Sequence, residues 1–447
     1  MEIRKKLFKD KLNPPQVLAL GFLSLILIGS ILLNLPIASS SGTSIGYVNS
    51  LFTSASAVCV TGLTVLNTAK DFTPFGQVII ITLIQFGGLG IMTLATVGYI
   101  IMGKKISFKE RLMIKEQLNT ESIQGIVKLT KKVIGYTFFL EMMGSLLLAL
   151  RFVPMFGFEK GLAFSIFHAI SAYCNAGFDI FGDSLIIFQN DYYVLLILSL
   201  LIILGGLGFT VYADLLAKDK LRKLTLHSKV VLIMTGSLLI IGTLSFLLFE
   251  SSNPGTLGSM NFPSRLANSF FQSVSPRTAG FYSVDMSKIR ETTIFSTIML
   301  MFIGGSPGST AGGIKTTTFA CLLLTTISVV KGEEDVNCLN RRLPFETIKR
   351  AVSIFLIGLA IVFSTAIILT ITDSSLKFIN LLFESTSAFG TVGLTTGITD
   401  KLSTLGRLVI TLTMYIGRVG PLTMAYAFAK RNRKRDFRNA PGNLMVG

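Results

Sequence analysis

One short pattern occurs four times in this 447-residue chain, and it constrains the fold more than any other feature. A Phe stands ten residues before a Gly, small and polar residues fill the interval, and Leu or Phe follows the Gly. The copies run from Phe52 to Gly62-Leu63, from Phe167 to Gly177-Phe178, from Phe270 to Gly280-Phe281 and from Phe383 to Gly393-Leu394. Their glycines fall 115, 103 and 113 residues apart. Recurrence at that interval means four structural units, each long enough for a pair of membrane helices and a loop.

The stretch before each Gly is helix-compatible but only about ten residues long, too short to cross the ~30 Å of a bilayer's hydrocarbon. Between two long apolar runs it reads as a re-entrant helix, whose irregular tail survives at membrane depth only along a water-filled path. The Gly lets the backbone turn its carbonyls inward, and four such loops make a ring of oxygens able to replace a cation's hydration shell. The short helix also aims the negative end of its dipole at that place. Packing glycines in ordinary spans are the plainer explanation, and four aligned copies weigh against it.

Half of the residues are hydrophobic and 15% are charged, a composition for a polytopic membrane protein. The net charge of +17 invites a nucleic-acid reading, but its distribution argues otherwise. Segments 1–13, 104–132, 218–229, 331–350 and 430–447 hold 29 of the 41 Lys and Arg. That asymmetry puts both termini in the cytoplasm and the re-entrant stretches outside, in the cytoplasmic membrane, with lipid and not nucleic acid as the surrounding partner. A basic lead before the apolar run from Val17 to Pro36 also has the form of a secretory signal cleaved near Ala38, but its removal would strip the first unit of its outer helix.

The expected architecture is all-α: four helix–pore loop–helix repeats, eight transmembrane spans, around a central pore. Its boundaries are a cytosolic N-terminus 1–13, repeat one 14–103, a cytosolic segment 104–132, repeat two 133–229, repeat three 230–350, repeat four 351–429 and a cytosolic C-terminus 430–447. The run from Phe108 to Gln117 reads as an amphipathic cytosolic helix.

Glycine clusters begin at Gly87, Gly205, Gly304 and Gly417, each 24 to 28 residues after the pattern glycine of its repeat, so they lie at equivalent depth. In repeats one and two they read as close helix packing. In repeat three, residues 304–315 hold five glycines and Pro307, and no helix persists through that. This is an intramembrane loop, expected to line a water-filled cavity. Gly308 and Gly313 have the spacing of a phosphate-binding loop, but Ile314 stands where its Lys belongs and no soluble strand precedes it. The Gly-Gly-Leu-Gly clusters lie within spans and so are not dinucleotide fingerprints.

Cys59 and Cys174 occupy one equivalent place, suited to packing behind the loops or to a disulfide. His168 and His227 are isolated, so neither a metal cluster nor a catalytic triad is available. Glu141 and Arg151 lie nearly three turns apart on the third span, too far for an easy pair, and Arg151 can snorkel outward. Glu384 on the fourth re-entrant helix suits either a negative potential beside the ion path or a structural hydrogen bond. Arg418 lies deep in the last span, where a guanidinium costs about 2.5–3.5 kcal/mol, so it should face the cavity. It is expected to sit beneath the ring as a latch on carbonyls of the loop 304–315; capping the helix broken at Gly420 and Pro421 is the alternative.

Taken together, the four loops with one glycine each, the glycine-rich break in the third inner helix and the Arg in the fourth resemble the Trk/Ktr/HKT superfamily of potassium transporters, most closely its bacterial Ktr-type membrane subunit. The likeness covers essentially the whole chain. It implies a K⁺-translocating subunit and no enzyme, a homodimer with one pore per protomer, and a cytosolic nucleotide-binding ring that gates the pore. The filter residues would be Val60, Thr61 and Gly62; Asn175, Ala176 and Gly177; Thr278, Ala279 and Gly280; and Thr391, Val392 and Gly393. Filters one and four look like the Thr-Val-Gly filter of K⁺ channels, whereas two and three depart from it, which predicts a less symmetric, less selective site. Plant relatives that favour Na⁺ carry Ser where this chain has Gly62. Gating would fall to Gly304, Gly305, Gly308, Gly312, Gly313, Lys315 and Arg418. K⁺ is the transported ion, Na⁺ a candidate activator, and no organic cofactor is expected. A Na⁺- or H⁺-coupled symporter is the alternative mechanism, and a membrane-embedded enzyme has no catalytic constellation to support it.

Overall fold

The structure, a computed structural model, describes residues 13–90, 93, 96, 106, 108–117, 126–215 and 224–428; expectations for the remaining stretches, including most of both basic tails, lie outside the described residues. The protein is built from one unit used four times. Repeat one is an outer helix α1 (Pro14–Leu33), a short pore helix α2 (Tyr47–Cys59) and an inner helix α3 (Pro74–Leu89). The amphipathic segment forms α4 (Phe108–Gln117), which buries Met113 and Ile114. Repeat two is α5 (Ile126–Phe156), pore helix α6 (Phe158–Tyr173), and an inner span in two pieces, α7 (Tyr192–Leu207) and α8 (Phe209–Leu215). Repeat three is α9 (Leu226–Glu250), pore helix α10 (Phe262–Val274), and inner helices α11 (Glu291–Phe302) and α12 (Thr316–Val330). A two-stranded hairpin, β1 (Asn337–Cys338) with β2 (Arg341–Arg342), leads into repeat four. That repeat is α13 (Phe345–Thr372), pore helix α14 (Phe378–Gly390), and α15 (Thr404–Val419) with α16 (Pro421–Phe428).

Local chemistry sets these ends. Pro14 and Pro15 open α1, where their missing N–H groups cost nothing, and Pro74 opens α3 behind a Thr73 hydroxyl that accepts from the Gly76 N–H. Ser403 caps α15 and Asn261 caps α10 in the same way. The inner helices stop at Gly90, Gly208 and Gly420, with φ of +80°, +93° and +94°, a backbone region L side chains avoid. After Gly208 and Gly420 the chain turns by 97° and 94°. The sequence reading of the cluster in repeats one and two as packing alone is therefore incomplete: its first Gly packs and its fourth breaks the helix.

Helices α1, α5, α9 and α13 are each long and apolar enough to cross a membrane, and the two bent pairs raise the count among the described residues to six. The inner helix of repeat one is described as far as Leu89, and the inner span of repeat three is divided by its loop. The outer helices begin earlier than the sequence suggested, at Ile126, Leu226 and Phe345 rather than 133, 230 and 351, because the helix carries its polar first turns beyond the apolar run. They keep one face inside and leave the rest, such as Phe138, Met142, Leu146 and Leu150 of α5, exposed to hydrocarbon. The pore helices are the reverse. Most of α2 and α14 is buried, and at 13 residues each they reach only about 20 Å.

Candidate functional site

The four pattern glycines meet and close a ring. A Cβ placed on Gly62 would lie 2.5 Å from the Ala176 carbonyl oxygen and 3.0 Å from Gly177 Cα. From Gly177 the same construction reaches the Ala279 oxygen at 2.7 Å and Gly280 Cα at 2.9 Å; from Gly280, the Val392 oxygen at 2.5 Å and Gly393 Cα at 3.2 Å. Gly393 returns to the Thr61 oxygen and to Gly62 Cα, so the order is one, two, three, four and back to one. No side chain fits between neighbours, which is why each copy keeps a glycine.

The backbone repeats as well. Val60, Asn175, Thr278 and Thr391 all have positive φ, of 57°, 60°, 76° and 50°, and the four glycines follow at +92°, +68°, +80° and +92°. In repeats one, two and four the middle residue's N–H donates at 2.8 Å to Ser56, Ser171 and Ser387 of the pore helix. In repeat three the Ala279 N–H uses Ser275 at 2.9 Å. With their N–H groups turned back onto the pore helices, the loops leave their carbonyls free. All four loops share the pattern of positive φ, while their serines divide them as the sequence does: Ser56 and Ser387 Oγ accept from the Gly62 and Gly393 N–H, whereas in filters two and three Ser171 and Ser275 Oγ donate to the Phe178 and Phe281 carbonyls. The departures have a local use. The Asn175 amide nitrogen donates to the Ala172, Ile202 and Tyr173 carbonyls at 3.2, 3.2 and 3.3 Å and so ties loop two to its own pore and inner helices, and Asn tolerates the left-handed region. The hydroxyls of Thr61 and Thr391 are buried without a protein partner.

Beneath the ring runs the glycine-rich segment between α11 and α12. It is held by protein groups of repeats two, three and four. Ser306 N–H donates to Gly206 O at 3.0 Å, Thr310 N–H to Gly205 O at 3.3 Å, and Phe209 N–H to Gly308 O at 2.8 Å. Internally, Gly304 N–H meets Ile314 O and Thr316 N–H meets Gly305 O. Gly312 lies against the Thr391 side chain of loop four. Its backbone is satisfied inside protein, which permits irregular structure at membrane depth as well as water would.

Arg418, at the end of α15, joins this segment to the inner helix of repeat one. Its guanidinium donates to Thr310 O of the loop, to Gly87 O at 2.5 Å and to Gly88 O at 3.4 Å. The alternative of a helix cap on its own broken helix is thereby set aside, since all three acceptors belong to other repeats. Lys315 turns back on its own loop, donating to Ala311 O at 2.7 Å and Gly312 O at 3.4 Å.

The other buried polar groups stand outside the ring. Glu384 accepts from Thr395 and Thr399, at 2.8 and 2.5 Å, and so ties α14 to the loop that follows its filter. Glu141 accepts from Gln85 at 3.1 Å, with the Cys174 thiol 3.7 Å away. Cys59 and Cys174 are buried free thiols packed behind loops one and two, not a disulfide. Arg151 does more than snorkel: it pairs with Asp191 at 2.6 Å, at the start of α7. One residue escaped the sequence reading. Arg277 lies outside the basic segments and is 7% exposed, directly before loop three. Its place three residues before Gly280 is the signal that could have revealed it.

The comparisons with known proteins bear on the family and the fold. A family model described as "Cation transport protein", TrkH, matches residues 13–437. The chain is similar to the "Potassium/sodium uptake protein NtpJ" of Enterococcus hirae, 44% identical with all of both chains covered. It is also similar to the "Ktr system potassium uptake protein B" of Bacillus subtilis, 43% identical over 98% of this chain and 97% of that one. Among solved structures, the potassium transporter TrkH from Vibrio parahaemolyticus superposes with a TM-score of 0.71 at 18% identity, covering 94% of this chain and 86% of that one, which speaks for the fold.

Proposed function

The chain belongs to the TrkH family of cation transport proteins, and on that premise we propose that it takes up potassium across the cell membrane through the four-loop ring, with the segment 304–315 as its gate. The closed ring of four glycines in one backbone conformation carries the reading. K⁺ binds among carbonyls of residues 60–62, 175–177, 278–280 and 391–393, which take over from its hydration water. The four pore helices end at the loops and add the negative ends of their dipoles. Selectivity follows from the number and spacing of those oxygens, held by bonds such as Ser56 Oγ to the Gly62 N–H and Ser387 Oγ to the Gly393 N–H.

Below the ring, the loop with Gly304, Gly305, Gly308, Gly312 and Gly313 stands in the path, and Arg418 and Lys315 add positive charge that opposes a leaving cation. Arg418 is the latch, because its three acceptors lie on the loop and on the opposite wall. Both termini are cytoplasmic, the protein is a homodimer, and a cytosolic nucleotide-binding ring moves the loop. These last points rest on the resemblance and on the charge asymmetry. A second reading, K⁺ uptake coupled to or activated by Na⁺, is favoured by the sodium in the name of the Enterococcus relative. Against a dedicated proton site, Glu141 and Glu384 are each engaged by neutral hydrogen-bond donors away from the ring.

The test is ion flux into liposomes containing only this protein. Uptake of K⁺ down its gradient without Na⁺ or a pH gradient supports a gated channel-like path. Uptake that appears only with an opposing ion gradient shifts the assignment to coupled symport, and no K⁺ flux under either condition refutes both.

A further inference from the structure

At the position three residues before the filter glycine, the four repeats carry Cys59, Cys174, Arg277 and Gly390. Three of these are neutral and small, and one is a permanent cation. It is buried, and it lines a small cavity together with Ile202, Ile203, Gly206, Leu239 and Val274. It reaches only Thr235 on α9, at 3.4 Å to both the carbonyl and the hydroxyl. Nε has no partner, and no carboxylate among the described residues pairs with it. A guanidinium keeps its charge in such a place, and burying one without a counter-ion is costly. Packing cannot account for the cost, since a Met or Leu would fill the same pocket.

Two electrostatic consequences follow from where the charge sits. It lies three residues beyond Val274, the last residue of α10, so it offsets the negative dipole end that the other three pore helices aim at the ring. It also immediately precedes Thr278, the first residue of filter three. Of the four filters, only the third therefore has a positive charge directly behind it. A pore needs ions to bind well enough to enter and weakly enough to leave, and a fixed positive charge behind one filter supplies the second half of that requirement.

Building on the potassium reading of the ring, we propose that Arg277 is the positioning residue that sets how tightly the filter holds its ion, weakening K⁺ at filter three so that it is released rapidly. A unit charge on the order of 10 Å from another, at an effective dielectric of about 20, changes binding roughly tenfold. The experiment is initial K⁺ uptake against K⁺ concentration in proteoliposomes. It is paired with K⁺-dependent thermal stabilisation of the detergent-solubilised protein, which reports binding even when transport is lost.

Arg277→Met removes the charge and Thr235→Asp places a carboxylate beside it. Both should lower KM, and the K⁺ midpoint of stabilisation, roughly tenfold while lowering the maximal rate. Arg277→Lys, which keeps the charge, should stay closer to the wild type than Arg277→Met. A merely structural role would lower the rate without tightening K⁺. An assembled Arg277→Met or Thr235→Asp protein with KM unchanged or raised overturns the proposal. So does failure of both to assemble when Arg277→Lys assembles, for the charge would then serve only the α10 end. If the wild type itself neither transports nor binds K⁺, the reading of the ring has failed and this inference falls with it; wild-type uptake with unaltered variants removes this inference alone.

Discussion

Replacing Arg418 by Gln separates the latch from the wall it crosses. The arginine holds the loop through Thr310 O and the inner helix of repeat one through Gly87 O and Gly88 O. Hydrogen bonds from a charged donor contribute about 1.5–3 kcal/mol each. Gln has a shorter side chain and a single amide donor group, so it can keep one side of this bridge but not both. The loss is then one charged bond, about 1.5–3 kcal/mol of preference for the loop in place. At about 1.4 kcal/mol per factor of ten, the share of molecules with the loop displaced rises roughly 10- to 100-fold, up to full opening. Removing the positive charge beneath the ring acts in the same direction. The assay is K⁺ flux in proteoliposomes without any cytosolic partner, on protein whose assembly matches the wild type by gel filtration. An assembled Arg418→Gln protein that conducts no faster, or slower, refutes the latch.

Three further perturbations address other parts of the site. Gly62→Ser puts a Cβ 2.5 Å from the Ala176 oxygen at φ +92°, so loop two must yield; the protein still inserts, at a cost of about 1–3 kcal/mol, and K⁺ over Na⁺ discrimination in a flux-ratio assay falls on the order of tenfold. Removing 308–312 deletes the hydrogen bond from the Phe209 N–H and the contact with Thr391, so flux rises and depends less on the partner; unchanged flux in folded protein makes the loop merely structural. Glu384→Ala strips the acceptor from the Thr395 and Thr399 hydroxyls and lowers stability in a thermal melt by about 2–3 kcal/mol, with the K⁺/Na⁺ ratio retained; a collapse of that ratio would instead place Glu384 on the ion path.

How much of this was readable beforehand depends on whether a local or a distant partner imposed the residue. The filter glycines were legible because no side chain fits where each loop meets the next, so every copy must keep Gly, and four copies betray themselves by recurrence. The outer helices were legible from apolar length, and the loop 304–315 from its glycines and Pro307, since no helix tolerates them. Arg418 announced itself because a charge at that depth needs a reason. The sequence did not say which carbonyls it holds. Gly87 lies 331 residues away, and only the arrangement of four repeats around one axis brings it, Thr310 and Arg418 together.

The same division explains what the sequence left open. Filters two and three differ in side chains, yet the αL conformation at Asn175 and Thr278 is imposed by hydrogen bonds to the pore helix and by the neighbouring loops, contacts that side-chain identity does not encode. The loop beneath the ring was legible as irregular, but not its acceptors: folding supplied carbonyls from the broken helix of repeat two, at Gly205 and Gly206, which are free to accept because the helix ends there. The sequence did not single out Arg277, because burial is a property of the packed repeats and not of residue type. Sequence alone determined the repeated unit, its membrane setting and the glycines that a backbone with no room for Cβ demands. The meeting of the four loops, the seat of the gate and the burial of a lone cation were decided by the tertiary structure, since each depends on groups from different helices or repeats sharing one small volume.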